Sequence, residues 1–191
     1  MTQLAINHEP IILIGPMKAG KTTVGTRLAA QLECSFTSLD RLERYYAEAL
    51  GFDALLADTI QAAQGDWAWY TYRRQFFAEA VVRFLADHAS GVLELGGGHP
   101  ILTDEAQQTR VDRALAPFRH VVLLLPTPDI VASVGILKGR QKTAYRDDDW
   151  NEKFLQDDRY FRLAKQVIYT EGQSPEATCD EILARIESGR A

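Results

Sequence analysis

Short unbroken apolar runs alternate along this chain with longer stretches in which apolar residues recur every three or four positions. Ile11-Ile12-Leu13-Ile14 is the first such run, and the segment after it carries Val24, Leu28 and Leu32 at four-residue spacing. A run of four bounded by turn residues reads as a buried strand, and four-residue spacing places one apolar stripe on a helix. The same alternation predicts further strands at 35–40, 91–95, 119–125 and 167–170. Helices are expected at 42 to about 50, 52–63, 67 to about 88, 104–115, 128 to about 137 and 150–165. Punctuation supports these bounds. Gly51 and Gly65 stand where helices end, Asp66 is placed to cap the long helix, Pro126 stops a β-rich run, and Ser174-Pro175-Glu176 opens a last helix. Strands alternating with helices specify an α/β fold of three layers, α/β/α, around a mostly parallel five-stranded sheet. The expected organisation is a single domain over residues 1–191.

Composition narrows the classes of partner. The formal charge of -5 argues against a duplex nucleic acid, which needs a basic face. No apolar run approaches the roughly 18–20 residues of a membrane span, and residues 1–9 carry no basic leader, so a cytoplasmic protein is expected. Cys34 and Cys179 have no neighbours at ligand spacing and read as reduced thiols.

The chemistry begins after the first strand, where Gly15-Pro16-Met17-Lys18-Ala19-Gly20-Lys21-Thr22 has the G-x-x-x-x-G-K-T spacing of a phosphate-binding P-loop, followed by Thr23. Phosphates need a tight turn of backbone N–H groups, and glycine permits it by reaching positive φ. The helix that follows turns its free N–H groups toward the anion. Lys21 adds a mobile charge near the β- and γ-phosphates, and Thr22 puts a hydroxyl where Mg²⁺ sits. The expected fold is therefore a P-loop NTPase, with ATP and Mg²⁺ as cofactors.

In a parallel sheet, ligands bind beyond the carboxyl ends of strands. Asp40 stands at the expected end of the second strand, where it accepts from an acceptor hydroxyl, acts as general base, holds a Mg²⁺-bound water or caps the next helix. Gly96-Gly97-Gly98-His99 follows the third strand. Three adjacent glycines imply a close backbone approach, and His99 is either a donor to a ligand or an ordinary loop residue. Glu94, on that strand, is a candidate for the metal region.

These residues together resemble the shikimate kinase family. The likeness is carried by Leu13-Ile14-Gly15-Pro16-Met17-Lys18-Ala19-Gly20-Lys21-Thr22-Thr23-Val24-Gly25, the aspartate after Phe36, the triple glycine and the element order. The resemblance implies a nucleoside-monophosphate-kinase-like fold and phosphoryl transfer from ATP to the hydroxyl of a small metabolite. It also implies that Lys21 holds phosphate, Thr22 holds metal, Asp40 binds the acceptor, and Gly96, Gly97 and Gly98 touch it. The chain departs from the family pattern in four places. Ser38 stands where the family has a second acid near the metal. The family's F-R-x-x-E acceptor motif is echoed only by Tyr72-Arg73-Arg74-Gln75-Phe76, without the glutamate. The lid's arginine-proline pair is absent, with Arg140 near its position. The late arginine that grips the acceptor carboxylate has Arg159 as its candidate.

Trp67, Trp69, Tyr70, Tyr72, Phe76 and Phe77 fall on neighbouring faces of one helical pattern, as core or as pocket wall, with Arg73 and Arg74 among them to meet an anion. The polar segment 138–149 is a candidate lid, or a solvated loop. Two other functions fit the same residues: a kinase for another hydroxyl compound, such as a sugar acid, nucleoside or antibiotic, and a nucleotide-binding regulatory or ATPase module. The N-K-x-D guanine signature is absent. The oligomeric state is not legible in the sequence.

Overall fold

In the computed structural model the described residues are 9–140 and 150–189. They form one five-stranded sheet of β1 (Ile11–Ile14), β2 (Phe36–Ser38), β3 (Val92–Glu94), β4 (His120–Leu125) and β5 (Gln166–Tyr169), in the order β2-β3-β1-β4-β5. Every pairing is parallel. β1, β3 and β4 are buried along their whole length, which is why all but Glu94 and His120 in them are apolar. β1 lies centrally between β3 and β4, so the P-loop that follows it leaves from the middle of the carboxyl edge.

Ten helices connect the strands among the described residues: α1 (Lys21–Gln31), α2 (Leu39–Glu48), α3 (Ala54–Gln64), α4 (Asp66–Arg74), α5 (Phe77–Asp87), α6 (Glu105–Leu115), α7 (Ile130–Gly139), α8 (Trp150–Leu155), α9 (Arg159–Leu163) and α10 (Pro175–Ser188). Local capping explains many of the bounds. The side chains of Asp53, Asp104, Asp129 and Ser174 accept from the first free N–H groups of α3, α6, α7 and α10. None of the helices is long and apolar enough to cross a membrane.

Five expectations are corrected. The helix expected from 67 to about 88 is two helices, parted at Gln75 and Phe76 by a tight turn in which Phe76 N–H donates to Arg73 O. Asp66 does not cap it; Gly65 holds the cap position, and Asp66 is the first helical residue. The helix expected at 150–165 is likewise split into α8 and α9. β2 ends at Ser38, two residues earlier than expected, so Asp40 lies in the first turn of α2. It is not that helix's cap, since Ser38 holds the position. Of the candidate lid, residues 141–149 lie outside the described residues.

Candidate active site

The P-loop closes through backbone geometry that only glycine supplies cheaply. Gly15 has φ 137°, and a Cβ there would strike the Leu124 carbonyl of β4; Gly20 has φ 100° and caps α1. Lys21 is buried, and its Nζ donates to the carbonyls of Gly15 and Pro16 at 2.9 Å each, folded back onto its own loop. Burial pushes the Lys21 ammonium below its usual range, against the pull of Glu94 and Asp40.

Beside it, Thr22 Oγ1 donates to Glu94 Oε1 at 2.8 Å. Glu94 is 2% exposed, and its second oxygen, Oε2, has no hydrogen-bond partner among the described residues. A buried carboxylate oxygen left unpaired next to the P-loop threonine suits a bound cation. Ser38 and Glu94 are paired in the β2–β3 register, so a carboxylate stands on the neighbouring strand beside the position where Ser38 has none. Thr22 and Glu94 fit a hard, oxygen-liganded ion such as Mg²⁺.

Two side chains absent from the sequence expectations hold this floor. Asn151, in the first turn of α8, accepts from Met17 N–H at 2.8 Å and donates to Met17 O at 3.0 Å. Buried Tyr160 of α9 donates its hydroxyl to Gly97 O. Arg140, just past α7, reaches the P-loop with Nη1 3.3 Å from Lys18 O.

Next to the P-loop is a cavity of about 290 Å³ lined by Met17, Asp40, Glu43, Asp66, Trp69, Tyr70, Arg73, Phe77, Gly97, Gly98, His99, Trp150 and Phe154. Gly96 lets the Asp40 carboxylate lie against the strand end, since a Cβ there would occupy the position of Asp40 Oδ1. Gly97 packs on Met17 of the P-loop, and Gly98 leaves room for the Tyr70 hydroxyl. His99 is buried and holds the turn: its Nδ1 accepts Gly96 N–H at 2.9 Å, and its Nε2 is 3.2 Å from Glu43 Oε2. Nδ1 also lies 3.5 Å from Asp40 Oδ1, so the ring stands between the two carboxylates. Glu43 also receives Nε and Nη2 of Arg73 at 2.5–2.9 Å. Burial pushes the Glu43 carboxyl up, but the bonds from His99 and Arg73 outweigh it and hold it below the usual carboxylate range. The glutamate missing after Arg73 in sequence is therefore replaced by one from α2. Asp40 and Glu43 share a helix face three residues apart, and that spacing was the legible signal.

The three arginines proposed to meet an anion do not converge. Arg73 lines the cavity, stacked 4.1 Å over Trp69. Arg74 instead donates to Ile101 O at 2.9 Å and lies over Tyr70. Arg159 is turned to Leu102 O, Glu105 and Asp157. Neither lines the cavity, because the carbonyls of the loop after His99 take their donors. The aromatics divide: Trp69, Tyr70, Phe77, Trp150 and Phe154 form cavity wall, while Tyr72 and Phe76 pack on Phe52.

Comparison with known proteins agrees with this fold. The shikimate kinase family model matches residues 17–187. The shikimate kinase of Salinispora arenicola is 33% identical over 175 residues, covering 91% of this chain and 95% of that one. That of Streptomyces coelicolor is 32% identical over 181 residues, covering 93% and 95%. Among solved structures, shikimate kinase from Acinetobacter baumannii in complex with shikimate superposes with a TM-score of 0.62 at 25% identity, covering 96% of this chain and 95% of that one. The parallel sheet, the P-loop and the extent of these matches establish that the chain belongs to the shikimate kinase family, nucleotide-using phosphotransferases that act on a hydroxyl group.

Proposed function

We propose that the chain transfers the γ-phosphoryl group of ATP, with Mg²⁺, to a hydroxyl of a small metabolite seated in the cavity beside the P-loop. One observation carries this reading: Met17 of the P-loop and Asp40 line the same cavity, so a hydroxyl held by Asp40 lies next to the phosphate site. The backbone N–H groups of the loop from Lys18 to Thr23 hold the phosphates, Pro16 having none and Met17 giving its own to Asn151, and Lys21 exchanges its two carbonyl partners for phosphate oxygens. Thr22 and Glu94 would hold the metal, whose chemistry there would be to neutralise charge on the phosphates. Asp40 orients the acceptor hydroxyl and takes its proton. Gly97 and Gly98 shape the acceptor face, His99 fixes Asp40 and Glu43 relative to Gly96, and Arg140 covers the phosphate mouth. Catalysis is then positioning and charge neutralisation, with no covalent intermediate.

The relatives' names bring shikimate to this cavity as the first acceptor to try. ADP release from MgATP, measured with and without hydroxylated ring compounds, tests the reading. Acceptor-stimulated release supports it, and a rate indifferent to every acceptor reduces the chain to a nucleotide-binding or ATPase module.

A further inference from the structure

Two of the buried tyrosines have a partner for the hydroxyl: Tyr46 donates to Asp87 Oδ2 at 3.0 Å, and Tyr160 to Gly97 O. Tyr70 does not. It is 9% exposed, and its buried hydroxyl has no hydrogen-bond partner among the described residues. An unpaired hydroxyl costs stability that phenylalanine, filling the same space, would not. Burial also pushes the phenol up to about 12, so it is neutral and has a proton to donate.

Packing fixes where that proton is offered. Trp150 meets the Tyr70 ring edge to face with centroids 4.1 Å apart, Phe77 does so at 5.8 Å, and Arg74 lies over it. The ring is held from several sides and cannot swing its hydroxyl to another partner. That hydroxyl abuts Gly98, where a Cβ would strike it, and Tyr70 and Gly98 both line the acceptor cavity. Asp40 lies against Gly96, two residues earlier in the same turn. One ring seated on this turn can bring one oxygen to Asp40 and another to Tyr70.

Resting on the kinase reading above, we infer that Tyr70 is an acceptor-recognition residue, whose hydroxyl donates to an oxygen of the bound ring other than the one that takes the phosphoryl group. That oxygen, a hydroxyl or a carboxylate, is the partner the fold itself does not supply.

Tyr70→Phe tests this with shikimate, its three mono-deoxy analogues and the analogue with methyl in place of the carboxylate as probes. Binding is read from quenching of tryptophan fluorescence, since Trp69 and Trp150 line the cavity. The variant is expected to melt, without ligand, at the same temperature as wild type or higher, and to bind MgATP equally well. Its affinity for shikimate should fall about fivefold or more, and in turnover the acceptor KM should rise by as much while kcat falls no more than about threefold. One analogue, the one lacking the oxygen that Tyr70 meets, should bind wild type about fivefold or more weakly than shikimate does, and the variant should not tell the two apart. A ligand-free melting temperature lowered by several degrees, equal shikimate affinity in the two proteins, or no binding by wild type overturns the inference. Phosphate transfer from MgATP separates it from the kinase reading. Transfer to shikimate at the same KM in both proteins keeps the kinase and sinks the Tyr70 contact; the expected loss of ring affinity without any transfer does the reverse.

Discussion

Ser38 and Glu94 face each other across the β2–β3 ladder, and the carboxylate that the shikimate kinase pattern places at the first of these positions is carried here by the second. Cross-strand partners are close enough that moving an acid from one to the other keeps charge at the same end of the sheet. Glu94 then bonds Thr22 and leaves Oε2 for a cation. Glu94→Gln is expected to raise the Mg²⁺ concentration needed for tight nucleotide binding about 10–100-fold. The double exchange Ser38→Asp with Glu94→Ser should recover most of that loss. A magnesium titration of nucleotide affinity reads both, and an unshifted curve for Glu94→Gln would leave that side chain structural only.

Lys21 spends its donors on two carbonyls of its own loop while burial disfavours its charge. Its pKa is lowered in the fold, so its contribution to stability shrinks as pH falls below the ordinary lysine value of 10.5. Lys21→Met should therefore leave the melting temperature of the nucleotide-free protein at neutral pH unchanged or raised, while phosphoryl transfer drops by about 10²–10³-fold or more. Loss of folding together with activity would show the ammonium to be a structural group.

Glu43 gathers Arg73 and His99 and stands at 10% side-chain exposure. Removing its charge strands the Arg73 guanidinium, so Glu43→Gln should destabilise the fold by about 1–3 kcal/mol in denaturant titration. Because its carboxyl is held below the ordinary 4.5, its stabilisation is complete above that pH and fades as pH falls through the lower folded value. Wild-type stability should consequently fall more steeply than that of Glu43→Gln below about pH 4.5. Parallel curves would mean that the ionised form is not what the network holds.

Gly96 abuts Asp40 so closely that any Cβ displaces the carboxylate. Gly96→Ala should cost acceptor turnover about 10²-fold through misplacement while ATP affinity stays within a few-fold. If both fall together, the turn supports the whole loop rather than Asp40 alone.

How much of this was legible in the sequence depended on distance along the chain. The P-loop is a contiguous run whose glycines and lysine act on one another, so Gly15 to Thr23 and the helix after them were readable. The parallel sheet followed from runs such as residues 121–125, which are apolar because both faces are covered. The break at Gln75 and Phe76 was not readable. Neither residue is a breaker, and the aromatic spacing continues through it; the split arises where Phe52 packs on Tyr72 and Phe76. Asn151 and Met17 meet across 134 residues, and no local pattern announces such a pair. The arginines show the same limit. A guanidinium on an aromatic helix needs an acceptor, but the sequence does not say that Arg74 finds Ile101 O while Arg73 finds Glu43.

The most direct test follows the phosphorus. With MgATP and a saturating hydroxylated ring compound, ³¹P NMR should show the γ-phosphate signal replaced by a phosphomonoester, with formation abolished by Lys21→Met and strongly slowed by Asp40→Asn. Inorganic phosphate as the only product, at a rate unaffected by the ring compound, would contradict phosphoryl transfer at this site.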